Sequence, residues 1–323
     1  MRTAMLKGIL KGIASYIPGV DKVYLKIFGT GPKVSAQYYY SIWLKHLCIC
    51  AKYGLPTHYE TVLELGPGDY LGVGLAALLS GTNKYYALDM IHFTDKNKNL
   101  KIFDELVDLF RRREKLKPDL PDALEFLDSN EFPHHILTNQ HLEKTLHPER
   151  INEVRRALLN LNAQTRDNIQ MFYFVPWQNV KTIPPVDLAF SYRVMEHIDD
   201  LPYTYESLCR WLKPGGIMAH EIDFRCHQTG KIWNEHWTYS DLLWKIITGK
   251  RSYLLNRAPH STHIKIFQDL GLDIVADLTL KERQGIRRKE LSPRFQQMSQ
   301  EDLTTSIAFI QTIKKDNHSN KSS

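Results

Sequence analysis

A doubly wound α/β sheet is the fold class predicted by three features of the 323-residue chain. Short apolar runs suited to buried parallel strands alternate with helix-like segments. The first of these runs leads into a glycine-containing turn that opens onto a helix-like stretch. The composition, 43% hydrophobic and 24% charged, is that of a soluble globular protein with room for one large domain plus appendages, or for two domains.

Taken in order, residues 1–58 read as a basic, mainly helical lead segment. Residues 1–52 carry eight Lys or Arg against the single acid Asp21, so the rest of the chain, in a total of +6, is nearly neutral. The stretch MLKGILKGIASYIPGVDKVYLKIF is partly amphipathic, and it suits either an anionic membrane surface or docking on the protein's own domain with its lysines in water. A second helix, from about Ser35 to Tyr53, holds Tyr38, Tyr39, Tyr40 and Trp43.

Strands are expected at TVLEL (61–65), KYYALD (84–89), IQMFYFV (169–175), VDLAFS (186–191) and GGIMAHEID (215–223). The gap between the second and third is too long for a simple connection. With Ile102, Phe103, Leu106, Leu109 and Phe110 on one helical face, it reads as a helical insertion at about 92–165. Pro214 is expected to end the helix before the fifth strand, with Gly215 and Gly216 turning into it. An acceptor-side extension is placed at about 224–260. The run DLTTSIAFIQTIKK alternates like a final strand, closing a main domain at 59–314, and the polar residues 315–323 read as a disordered tail.

No apolar run reaches the roughly 18 residues of a membrane span, and no clean signal peptide is present, so the cytoplasm is the expected location. Cys48, Cys50, Cys209 and Cys226 form no C-x-x-C pair, and no metal is expected. The modest net charge and the lack of a recognisable module exclude nucleic acid as an expected partner.

The turn LELGPGDYLG raises the question of which cofactor it accepts. Gly66 and Gly68 allow a tight turn and close approach of a ligand. A dinucleotide turn wants a third glycine where this chain has Leu71, and Gly72 comes one residue late. Glu64 and Asp69 would repel a diphosphate and favour a cation. S-adenosylmethionine is such a cation, and Asp89, 21 residues after Gly68, stands where an acid would meet ribose hydroxyls.

These residues resemble the class I S-adenosylmethionine-dependent methyltransferases. LELGPGD resembles their first motif, YALD the ribose strand, VDLAFSYRVMEHIDDL the fourth strand with its E-H signature, and LCRWLKPGGIMAHEID the helix and fifth strand. HIKIFQDLGLDIV resembles the next helix and sixth strand. The resemblance implies a Rossmann-like seven-stranded sheet with an antiparallel last strand. It also implies that Glu64, Gly66 and Gly68 line the methionine end of the cofactor, that Asp89 holds the ribose, and that Ser191 and Tyr192 lie beside it. FVPWQN stands where the family often has an acid near the adenine, and Tyr70 replaces a common glycine.

Methyl transfer needs alignment and, for a hydroxyl or protonated amine, a base. His197, His220 and Asp223 are the candidates at the carboxyl edge of the sheet. His197 suits a base or a group orienting its loop, His220 a base or a core histidine, and Asp223 a catalytic group or a helix cap. Because side chains alternate along a strand, His220 and Asp223 are expected on opposite faces. Trp233, His236, Trp237, Arg251, Asn256, Arg257 and His263 could recognise a polar small-molecule or glycan-type acceptor, or fill a core. The extended form is similar to methyltransferases encoded with bacterial surface-glycan assembly proteins. An NAD(P)-dependent oxidoreductase or epimerase, and a non-catalytic cofactor-binding partner, are the alternatives.

Overall fold

The computed structural model describes residues 2–20, 35–92, 94–117, 124–164, 167–227, 229–251 and 254–315. The later part of the lead segment, 21–34, and the polar tail from 316 lie outside them. Seven strands form one mixed sheet: β1 Thr61–Leu65, β2 Lys84–Leu88, β3 Gln170–Phe174, β4 Val186–Tyr192, β5 Leu212–Asp223, β6 Leu272–Lys281 and β7 Thr305–Lys314. Their order is β3-β2-β1-β4-β5-β7-β6, with the last strand antiparallel, as expected. The described helices are α1 Arg2–Ala14, α2 Ala36–Lys52, α3 Gly72–Leu79, α4 Lys96–Arg112, α5 Asn139–Thr145, α6 Pro148–Leu159, α7 Leu201–Trp211, α8 Asp241–Thr248, α9 His260–Asp269 and α10 Gln300–Thr304.

Every residue of β1 is buried, and the strand pairs in parallel with β2 (Thr61 opposite Lys84 through Leu65 opposite Leu88) and with β4 (Val62 opposite Leu188). A strand covered on both faces has no use for polar alternation, which is why TVLEL reads as an apolar run. Toward the edge, β3 alternates in burial, and Tyr86 stacks on Phe172 at 4.9 Å across the β2–β3 pair.

Two boundaries differ from expectation. The strand β5 starts at Leu212, so the Lys-Pro-Gly-Gly run lies inside it and Gly215, at φ +72°, makes a bend within the strand. The C-terminal carbonyls of α7 are instead closed by Lys314, whose Nζ donates at 2.8 Å to the Cys209 and Leu212 oxygens. The expected final strand begins later, at Thr305, because Ser299 caps α10, accepting from the Asp302 amide at 3.0 Å.

The chain folds as two compact units interleaved in sequence. One comprises Met1–Gly29, Arg193–Ser207 and His220–Gln311, and the other Thr30–Tyr192, Leu208–Ala219 and Thr312–Ser323. In the latter, α2 buries Tyr40, Trp43, Leu44 and Leu47, and the Trp43 indole donates to Ser80 Oγ at 2.7 Å. The helix α4, capped by Asp95, buries Ile102, Phe103, Leu106, Leu109 and Phe110, the face its spacing marked as apolar. In the former, Trp237, Tyr239, Trp244 and Ile247 are buried, and the Trp237 indole donates to the Arg257 carbonyl.

Candidate functional site

The turn from β1 into α3 is built almost entirely from backbone constraints. Gly66 and Gly68 sit at φ +72° and +70°, a region that a side chain would strain. The Gly66 amide donates to the Leu88 carbonyl at 2.8 Å, which ties the turn to the end of β2. The glycines that make room for packing are Gly72 and Gly74, where a Cβ would collide with the rings of Tyr39 and Tyr85. Leu71, at the expected third-glycine position, is fully buried instead, and its amide donates to Asn99 Oδ1 at 2.7 Å.

Asp89 is 8% exposed at the end of β2. One carboxylate oxygen accepts from the Gly68 amide at 3.2 Å and the other from the Met90 amide at 2.8 Å. Burial raises its pKa to about 6 against the pull of those amides, so it is ionised at neutral pH. The segment after β3 holds its backbone, since the Trp177 amide donates to the Asp89 carbonyl at 2.9 Å.

Glu64 lies elsewhere in charge terms. Its side chain is 4% exposed and accepts from the Tyr85 hydroxyl at 2.5 Å. Burial pushes its pKa up to about 8, against the Tyr85 hydroxyl and the Gly74 amide. At neutral pH it is therefore largely a neutral acid, and the repulsion of a diphosphate expected from it rests on Asp69 and Asp89. The reason is the absence of a cation beside a fully buried strand residue.

Beside this turn stands an aromatic wall that was legible only as a helix. Tyr39 on α2 packs on Tyr70 at 5.8 Å, and Tyr38 meets the Tyr192 ring edge-on at 5.8 Å. Ser191, preceding Tyr192 at the end of β4, is fully buried. The tyrosine run 38–40 was the available signal, and only the fold says which rings face the turn.

In the other unit, the turn after β4 and the end of β5 bring acids, histidines and arginines together. Arg193 stands at φ +55°, a conformation non-glycine residues rarely adopt, and is held there by its amide on the Glu221 carbonyl and its Nε on Glu221 Oε1 at 3.0 Å. Asp223 accepts from Arg225 Nε at 2.8 Å and Nη2 at 2.5 Å, with His227 Nε2 at 3.2 Å. Burial opposes its ionisation, but Arg225 and His227 prevail and hold its pKa well below the usual carboxylate range. So engaged, Asp223 is a poor proton acceptor and fits a positioning role.

Glu196 is the opposite case. It is 3% exposed, and its carboxyl oxygens have no side-chain hydrogen-bond partner, only the nearby backbone amides of Glu196 and Asp223. Burial first, then the nearby Asp223 charge, raise its pKa well above the usual carboxylate range, against the pull of Arg193 and two backbone amides. Its neighbour His197 is half-buried, with its ring 5.2 Å from that of His227. Asn256 shapes this turn, donating to the Met195 and Ile198 carbonyls at 2.7 and 2.9 Å. In the sequence Glu196 stands out only as part of the E-H signature, Glu221 only as a residue on the face of Asp223, and nothing marks Arg193, because a salt bridge between distant positions leaves no local pattern.

His220 does not join this group. It is fully buried on the other face of β5, with the Tyr205 ring at 5.5 Å and Phe267 stacked at 6.4 Å, which makes it a core histidine. Among the extension residues, Trp237, His236, Arg257 and His263 are all buried. The Arg257 guanidinium holds the Tyr239 carbonyl and Asp241, and His263 Nδ1 lies 2.8 Å from the Tyr205 hydroxyl. Their work is packing and internal hydrogen bonding. Burial takes His236 and His263 down to a pKa of about 3, so both are neutral.

Among the described residues, Glu196, His197 and His227 have ligand atoms within 4.8 Å of one another. With Arg193 and Arg225 on the adjacent acid, the set suits proton handling and hydrogen bonding better than a cation.

No family model matches the chain, and no curated protein is similar to it. Solved structures do resemble it in outline. An S-adenosylmethionine-dependent methyltransferase from Mesorhizobium loti is 11% identical, covering 82% of this chain and 96% of that one, with a TM-score of 0.41. Phosphoethanolamine N-methyltransferase 2 from Haemonchus contortus, in complex with S-adenosyl-L-methionine, is 13% identical over 84% of this chain and 52% of that one, at 0.41. The N-methyltransferase NodS from Bradyrhizobium japonicum is 10% identical over 85% and 94%, at 0.36. At these scores the functional reading rests on the strand order and the residues themselves.

Proposed function

We propose that the protein is an enzyme that binds S-adenosylmethionine and transfers its methyl group to a polar small-molecule or glycan-type acceptor. The observation that carries the reading is Asp89, a carboxylate ionised at neutral pH and held at the end of β2 beside a turn with two left-handed glycines. This donor set suits an adenosine with ribose hydroxyls and a cationic sulfonium, and it lacks the third glycine and the cations that a pyrophosphate wants. Gly66 and Gly68 would receive the methionine end, Asp89 the ribose, and Ser191 with Tyr192 the side nearest the transferred group. When bound, the cofactor supplies a methyl on positive sulfur, so that transfer asks the protein mainly for alignment and removal of the acceptor's proton.

On the acceptor side the reading is supported by Glu196 and His197. Glu196 is a buried carboxyl that no side chain hydrogen-bonds, and in its protonated form it offers both a donor and an acceptor to a hydroxyl or amine. His197 is the proposed base, and Asp223 with Arg193, Arg225 and His227 fixes the shape of that edge. No helix among the described residues is long and apolar enough to cross a membrane. The proposed location is the cytoplasm, where the donor is available.

Calorimetry tests the donor directly. S-adenosylhomocysteine is expected to bind more tightly than NAD, and the reverse order would favour an NAD(P)-dependent oxidoreductase. Labelled methyl from S-adenosylmethionine should also appear in a polar metabolite or glycan. Binding with no transfer to any such acceptor would point to the non-catalytic alternative.

A further inference from the structure

The two faces of α1 have different fates. On one, Met5 and Ile9 pack against the cluster of Tyr239, Trp244, Ile247 and Leu255. Gly8 seats the Ile247 side chain, and Gly12 lets the backbone of α8 come close, since a Cβ there would collide with the Ile246 carbonyl. The Ser15 hydroxyl closes the joint, donating to the Gly12 carbonyl at 2.5 Å and accepting from the Lys250 amide at 2.8 Å. This part of the lead segment is thus docked on its own unit.

Docking leaves the opposite face uncovered. Leu6, Leu10 and Ile13, spaced four and three residues apart on one side of the helix, are 56%, 59% and 58% exposed, and Ile17 continues the row at 59%. Leu242 and Ile246 on α8 are exposed as well, at 72% and 42%. Lys7 and Lys11 border the row on α1, and Lys245 and Lys250 are exposed on and just after α8. Residues 2–20 contain no acid, and Asp241, the single acid of α8, is occupied by Arg257 and Arg294 at 2.6 and 3.1 Å.

We propose that this face docks on the surface of an anionic lipid bilayer, with the leucine and isoleucine row among the acyl chains and the lysines at the headgroups. Charge complementarity selects this occupant. A second copy of the chain would bring one set of lysines against another, whereas lipid phosphates neutralise them. The glycine-lined contact with α8 holds the helix in place before it meets the membrane, so little ordering remains to be done on binding. The inference does not depend on the reaction catalysed.

The test is sedimentation of the full chain with phosphatidylcholine vesicles, with or without phosphatidylglycerol. Binding is expected only to the phosphatidylglycerol vesicles and should weaken as salt rises. The combined substitution Leu6→Ser, Leu10→Ser and Ile13→Ser is expected to cut binding at least tenfold. Lys7→Gln and Lys11→Gln should each cut it about fivefold. Because all five side chains lie on the uncovered face, the circular dichroism spectrum and melting temperature should hold. Wild type that fails to bind phosphatidylglycerol vesicles, or a triple variant that binds equally well, overturns the proposal. So does a dimer in analytical ultracentrifugation that the triple variant dissolves, which would assign the row to a second copy.

Discussion

The turn from β1 into α3 and the β4–β5 edge both bury carboxyl groups at or near strand ends, yet they treat them differently. At the turn, Asp89 is satisfied by backbone amides, and Glu64 by a tyrosine hydroxyl and an amide. No lysine or arginine contributes, so both pKa values rise, to about 6 and about 8. At the edge, Arg225 and His227 close on Asp223 and Arg193 bonds Glu221, whereas Glu196 feels Arg193 only through space and burial prevails. Partner charge, more than burial, therefore decides which acid is ionised. One region is set to hold a ligand through fixed amides and a carboxylate. The other sets a firmly ionised acid beside one whose pKa is pushed up and a histidine, the separation of proton affinities that acid–base work requires.

The largest expected effect tests the second region. His197→Ala and Glu196→Gln should each lower methyl transfer by about 10² to 10⁴ while leaving S-adenosylhomocysteine affinity within a factor of two or so. His220→Gln should instead lower the melting temperature with little effect on turnover per folded molecule. The opposite pattern would return His220 to the chemistry and make His197 a structural group.

Next in size is the pH dependence built into Glu64. Its pKa is raised in the folded chain, so the proton it keeps there is lost on unfolding, and stability falls as pH rises between about 4.5 and 8. From pH 6 to pH 9 that contribution is about 3 kcal/mol. Urea unfolding at the two pH values should show a clearly smaller loss for Glu64→Gln than for wild type. Equal losses would mean that Glu64 is ionised in the fold and does carry charge at the turn.

Smaller still is the effect of Asp89. Asp89→Ala should weaken S-adenosylhomocysteine binding by about one to two powers of ten, the worth of charge-assisted hydrogen bonds to a ribose. The same affinity in wild type should drop as pH falls through about 6, where Asp89 takes up its proton, and the variant should lose that dependence. A folded variant with unchanged affinity would make Asp89 a turn-closing acid only.

The sequence by itself determined the sheet and its turn. Apolar runs of strand length, glycines at left-handed positions and an amphipathic α4 are local patterns, and each is enforced within a few residues by backbone sterics or burial on one face. It also placed His220 and Asp223 on opposite faces of β5, since alternation is a property of the strand. Tertiary structure decided which of these residues can do chemistry. The pairing of Arg193 with Glu221, the raised pKa values of Glu64 and Glu196, the use of Arg257 and Trp237 as packing, and the uncovered row on α1 all depend on groups distant in the chain. Protonation and exposure are set by what lies within a few ångströms in space, and no spacing along a sequence encodes that.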